Sequence, residues 1–290
     1  MAIRRCEVFQ PKVVLAEIGE GAQIVECKQG PQALKDFISK SNALDVEWGP
    51  VVTSNSEIEG KMATVSDFMP KLSSAVLETA QTNFPVILGG DHSCAVGTWS
   101  AIATHYKAQG DIGLIWIDAH LDSHTPETSE SGAPHGMPLA SLLGYGNKNL
   151  TDVQGWRTKL KPQNVVVIGA RSSELGEERL LEKLGVQVMD IHEVSIRGFE
   201  ACLHDAIEIV SEHTIGYGIT FDLDALDPSD APGVGSPEEG GLIIKDVVDA
   251  FVATKPQLVG FELVEYNPAR EDANFTTANA SLAILKALLP

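Results

Sequence analysis

Three short segments concentrate the residue types that bind metal: Gly89-Gly90-Asp91-His92-Ser93, Asp118-Ala119-His120-Leu121-Asp122 and Asp222-Leu223-Asp224. Imidazoles and carboxylates without thiolates suit Mn²⁺, and also Zn²⁺ or Fe²⁺, while carboxylates able to bridge favour a two-ion centre. The spacing D-x-H-x-D or D-x-D turns alternate side chains to one side of an extended backbone, so one segment presents several ligands together. Each segment alone has a plainer reading. A histidine after a Gly-Gly turn is ordinarily a hydrogen-bonded structural residue, and an Asp-Leu-Asp after a strand is ordinarily a turn or a helix cap. All three together read differently, because so many carboxylates at neighbouring strand ends repel one another unless cations neutralise them. The expectation is that His92, Asp118, His120, Asp122, Asp222 and Asp224 converge.

Convergence requires elements that carry these segments to one place. Wholly apolar runs precede them or recur nearby: Phe84 to Leu88, Gly113 to Ile117, Val165 to Ile168, Gly216 to Phe221 and Gln257 to Phe261. Runs without polar alternation suit strands covered on both faces, as in a parallel sheet. Between them, 199–213 places Phe199, Leu203, Ala206, Ile207 and Val210 on one face of a helix, and 66–82 and 277–289 also read as helices. Strands alternating with helices predict a three-layer α/β/α domain around a mostly parallel sheet, a single domain over residues 1–290. The irregular stretches 119–135 and 225–241 each follow an apolar strand, at the strand ends where ligands gather in such sheets.

Composition narrows the function classes. The 290 residues are 43% hydrophobic, enough for a full core, and no apolar run approaches the roughly 20 residues that span a bilayer. The opening residues lack the apolar stretch of a secretory signal, so a cytoplasmic protein without membrane contact is expected. Cys6, Cys27, Cys94 and Cys202 are widely spaced with no C-x-x-C pair, which argues against disulfides and a thiolate zinc site. Cys94 follows a ligand segment, but no base is placed beside it, and it reads as packing. A formal charge of −19 opposes binding to nucleic-acid phosphates and favours approach of a small cation.

The three ligand segments, extended to Asp118 through His124 and Phe221 through Pro228, resemble the metal signatures of the arginase/agmatinase (ureohydrolase) family in order and interval, over about residues 84 to 268. The resemblance implies two Mn²⁺ per chain: one held by His92, Asp118, Asp122 and Asp222, the other by His120, Asp118, Asp222 and Asp224, with Asp118 and Asp222 bridging. The loop from Thr125 to Pro138 resembles the arginase substrate loop and aligns His135 with a proton-shuttling histidine and Ser131 with a carboxylate-binding serine. Glu265 matches the carboxylate that pairs with guanidinium. His124, Glu174, Glu177 and Ser236 fall among the substrate-binding positions. Arginases usually carry asparagine at the positions of His124 and Ala133 and the shorter aspartate at Glu174, so the departures gather at the end of the substrate that bears the amino-acid head.

A guanidinium carbon is a poor electrophile because its charge is delocalised, and neutral water attacks it slowly. The resemblance implies hydrolysis of L-arginine to ornithine and urea by a metal-bridging hydroxide, with Asp122 fixing the nucleophile, Glu265 orienting the guanidinium and His135 moving the proton. Its rivals are hydrolysis of agmatine, another guanidino acid or formiminoglutamate, and a non-catalytic metal-binding relative, whose sign would be eroded ligands. The resemblance also implies a homo-oligomer, trimeric or hexameric.

Overall fold

The computed structural model describes residues 10–254 and 258–289, so Cys6 and Gln257 lie outside the described residues. Eight strands form one sheet: β1 Pro11–Glu17, β2 Glu47–Thr53, β3 Phe84–Gly89, β4 Gly113–Ile117, β5 Val165–Ile168, β6 Gln187–Met189, β7 Tyr217–Asp222 and β8 Leu258–Val264. Their order is β2-β1-β3-β8-β7-β4-β5-β6, and every pair is parallel. The five predicted strands are present. β1, β2 and β6 are additional; β2 and β6 flank the sheet and carry exposed positions, so neither bears the unbroken apolar run that marks a central strand.

Both faces of the sheet are covered. Alternate residues of each inner strand enter opposite cores: Leu114 and Trp116 pack on one side, Ile115 and Ile117 on the other. The first core includes Val65, Phe68 and Leu72 of helix Lys61–Ala80 and Trp99 and Ile102 of helix Ala95–Tyr106. The second includes Leu34 and Ile38 of Gly30–Ser41, Phe199, Leu203, Ala206 and Val210 of Phe199–Ser211, Phe251 of Ile244–Thr254 and Ile284 of Thr276–Leu288. This is the three-layer α/β/α arrangement. Ile207 of the predicted helix face is only half-buried, at the margin of that core. Among the described residues no helix is long and apolar enough to cross a membrane.

The order of the strands decides where the site falls. After β6 the chain returns to the middle and inserts β7 and β8 between β3 and β4. Ile117 lies beside Phe221, and Phe221 beside Leu263, which also neighbours Leu88. The residues that follow these four strands therefore emerge side by side at one edge of the sheet's centre.

Candidate metal centre

At three of these strand ends an aspartate turns the chain on itself. Asp91 Oδ1 accepts the Ser93 N–H (3.0 Å), Asp118 Oδ1 accepts the His120 N–H (2.7 Å) and Asp222 Oδ1 accepts the Asp224 N–H (2.8 Å). Such side-chain-closed turns are a property of aspartate. They correct the expectation of alternate ligands along extended backbone: β4 ends just before Asp118 and β7 at Asp222, and the turn that follows each brings His120 and Asp224 to the same side. Asp91 stays outside the ligand groups: its Oδ1 also accepts the Ser93 Oγ–H, and its Oδ2 accepts the Gly21 N–H at 2.8 Å.

The six expected ligands come together. His92 Nδ1 lies 3.0 Å from each of Asp118 Oδ2, Asp122 Oδ2 and Asp222 Oδ2. His120 Nδ1 lies 3.4 Å from Asp118 Oδ1 and 3.2 Å from Asp224 Oδ2. Asp118 thus belongs to both groups, one oxygen facing each, and both groups have the spacing of a metal cage. The His92 Nδ1 atom is fully buried and forms no hydrogen bond, although three carboxylate oxygens surround it. An orphaned ring nitrogen among acceptors is what a divalent cation would satisfy, and the nitrogen and oxygen donors suit one.

The electrostatics agree. Burial raises Asp122 to about 7, with the Asp118 charge adding to it, and burial likewise raises Asp222 and Asp224. Burial works against charge on His92 and His120, but the surrounding aspartates outweigh it and raise both well above the ordinary imidazole value. Asp118, also opposed by burial, is held low by His120 and His92. The cage therefore retains protons where it calls for positive charge.

Glu265 and His135 stand beside it. Glu265 Oε1 accepts the His92 N–H at 2.9 Å and lies 3.4 Å from His135 Nδ1. His135 is raised to about 9: burial opposes this, and Glu265 prevails. Asp122 and Glu265 both adopt positive φ, 47° and 67°, a conformation costly for residues other than glycine that aims their carboxylates into the site. Glu265 is anchored there by its own N–H on Gly90 O at 2.8 Å.

These groups open into a cavity of about 240 Å³ whose lining also includes His124, Ser131, Glu174, Glu177 and Ser236. His124 Nε2 lies 3.5 Å from Glu174 and 3.4 Å from Glu177. The two glutamates also close the N-terminus of helix Leu175–Leu184, each side chain accepting a backbone N–H. Ser131 Oγ accepts the Ala133 N–H at 3.2 Å. Several neighbours escaped the sequence reading. Trp116 stacks on His92 (4.3 Å between centroids, 19°) and its Nε1–H donates to Asp118 Oδ2 at 2.9 Å. Arg171 donates to the carbonyls of Asp224, Leu226 and Glu238, tying the loop after β7. Only the tryptophan inside an apolar strand run, immediately before Asp118, offered a local signal. Cys27, Cys94 and Cys202 are free and buried.

A parallel α/β scaffold with this histidine–aspartate cluster at its strand ends defines a candidate divalent-metal site. The family model described as "Arginase family" matches residues 17–289. A relative named arginase from Bacillus caldovelox is 40% identical over 230 residues, covering 78% of this chain and 76% of its own. A crystal structure of arginase from Bacillus subtilis superposes with a TM-score of 0.88 at 33% identity, covering 97% of this chain and 98% of that one. Entamoeba histolytica arginase, solved in complex with L-ornithine, gives 0.87 at 25% identity with the same coverage. The chain belongs to the arginase family, and it is an enzyme of the ureohydrolase type.

Proposed function

We propose that the chain hydrolyses L-arginine to L-ornithine and urea, using two Mn²⁺ ions. The observation that carries this is the pair of histidine–aspartate groups sharing Asp118, with Glu265 and His135 facing the same cavity. His92, Asp118, Asp122 and Asp222 would hold one ion, and His120, Asp118, Asp222 and Asp224 the other. When bound, such a pair supplies an ionised water at neutral pH.

The chain's own residues do the rest. Glu265, already fixed by the His92 N–H, offers its carboxylate to the guanidinium N–H groups and turns the central carbon toward the cage. Asp122 accepts a hydrogen bond from the attacking group and sets its direction. His135, a quarter exposed and paired with Glu265, carries a proton from solvent to the departing amine. At the outer end Glu174 and Glu177 meet the α-ammonium, while His124, Ser131 and Ser236 face the α-carboxylate. Two observations support an amino-acid head: carboxylates and hydroxyls line the same rim, and the Entamoeba relative was solved with L-ornithine. We assign the protein to the cytoplasm as a homo-oligomer of three or six chains, by likeness to the family.

The test is product release after manganese loading, urea from L-arginine, agmatine and 4-guanidinobutyrate and formamide from formiminoglutamate, compared by kcat/KM. A higher value for agmatine than for L-arginine refutes the substrate. No product from any of them refutes the hydrolase.

A further inference from the structure

The sheet face that packs on helices Lys61–Ala80 and Ala95–Tyr106 is apolar in its interior except where Thr220 of β7 stands beside Glu262 of β8, both fully buried. Glu262 Oε2 accepts the Thr220 Oγ–H at 2.7 Å and the Trp99 Nε1–H at 3.0 Å, and Oε1 accepts the Cys94 Sγ–H at 3.5 Å. All three donors are neutral. A carboxylate buried on such terms is costly to keep, and nothing in the proposed reaction touches it.

Its reach extends through Thr220 to the cage. A hydroxyl has one proton, and that of Thr220 goes to Glu262. Thr220 Oγ therefore presents only lone pairs to His92 Nε2, 3.0 Å away, and Nε2 must carry the ring hydrogen. In its neutral, ligating form the ring then has its free lone pair on Nδ1, the atom that faces Asp118, Asp122 and Asp222. Trp99, which can only donate, in turn keeps an accepting oxygen of residue 262 turned toward Thr220.

We propose that Thr220 and Glu262 are positioning residues that fix the tautomer of His92, so that Nδ1 stands ready as a ligand. The chain Glu262–Thr220–His92 acts through proton order, and Trp116 stacked on the ring holds its plane. Histidine ligands gain affinity when their second nitrogen is held in this way, by about 10- to 100-fold. The inference rests on the reading of the cage as a two-metal site.

The test uses the full chain stripped of metal and titrated with manganese alone, followed by calorimetry and by elemental analysis after desalting. Wild type should take two ions. Thr220→Val should weaken one of the two by about 10- to 100-fold while leaving the other within about threefold, with a metal-free Tm lowered by no more than about 10 °C for the two buried hydrogen bonds lost, and Thr220→Ser should keep wild-type affinity. In the zinc-loaded wild type, ¹⁵N-edited spectra of the histidine rings should show a slowly exchanging proton on Nε2 of His92, a readout that needs no variant. A wild type that binds no ion overturns the cage and this inference together. A wild type that binds two, with Thr220→Val equally tight at both or a proton found on Nδ1 of His92, overturns the inference alone.

Discussion

Asp118→Asn is the sharpest perturbation of the cage, because it changes one atom of a residue that faces both groups. Asp118 Oδ2 accepts from Trp116 Nε1–H and lies 3.0 Å from His92 Nδ1, while Oδ1 accepts from the His120 N–H and lies 3.4 Å from His120 Nδ1. An asparagine has one accepting oxygen, so in either orientation its NH₂ meets one of these two N–H donors. One buried hydrogen bond is lost, at about 1–3 kcal/mol. One ion also loses an anionic ligand. Loss of an outer partner of a ligand costs about 10- to 100-fold in affinity, so loss of the ligand itself should cost at least about 100-fold, or about 2.7 kcal/mol. Filling of both positions by manganese should fall by that factor or more, read by calorimetry on stripped protein and by metal content after desalting. Urea release should fall with it. A variant that holds two manganese ions per chain as tightly as wild type would refute the sharing of Asp118. So would an affinity loss explained by a metal-free Tm lowered by more than about 10 °C, which would make Asp118 a packing residue.

His135→Ala should lower kcat by about 10²- to 10⁴-fold with a smaller change in KM, since a proton carrier is needed when the amine departs; a loss confined to KM contradicts the role. The stabilisation that manganese confers should grow from pH 5 to pH 8. Asp122 is raised to about 7, so the folded metal-free chain keeps a proton that the unfolded chain releases near 4, and its stability falls as pH rises through that window. His135, raised to about 9, adds stability that is complete below about 6.5 and declines as pH climbs toward its folded value, the same direction. Cations displace the protons of the cage, so the Tm gain measured by scanning fluorimetry should widen with pH; a constant gain counts against the carboxylate cluster. Gly90→Ala should destabilise by about 3 kcal/mol in urea unfolding, because the new Cβ would stand 1.8 Å from Ile18 O while the Gly90 carbonyl anchors Glu265; an unchanged midpoint refutes the close approach.

Much of this chemistry was legible in the residues themselves. Unbroken apolar runs marked β3, β4, β5, β7 and β8, because a strand covered on both faces needs apolar side chains at every position. The histidines and aspartates just beyond three of them announced a metal site by type and order, and the likeness to the arginase family over the same segments named the chemistry. Edge strands β2 and β6 escaped because partial exposure relaxes that demand.

What the order of residues left undecided was adjacency. His92 and Asp222 stand 3.0 Å apart although 130 residues separate them, because β7 and β8 insert between β3 and β4. Thr220, inside one apolar run, and Glu262, just beyond another, show no relation in sequence and meet only once β7 lies beside β8 and Trp99 covers them. Local composition tells a strand what it must bury. Which strand it pairs with, and hence which side chains share a proton or a cation, depends on how the helices on both faces fill space, and only the folded chain settles that.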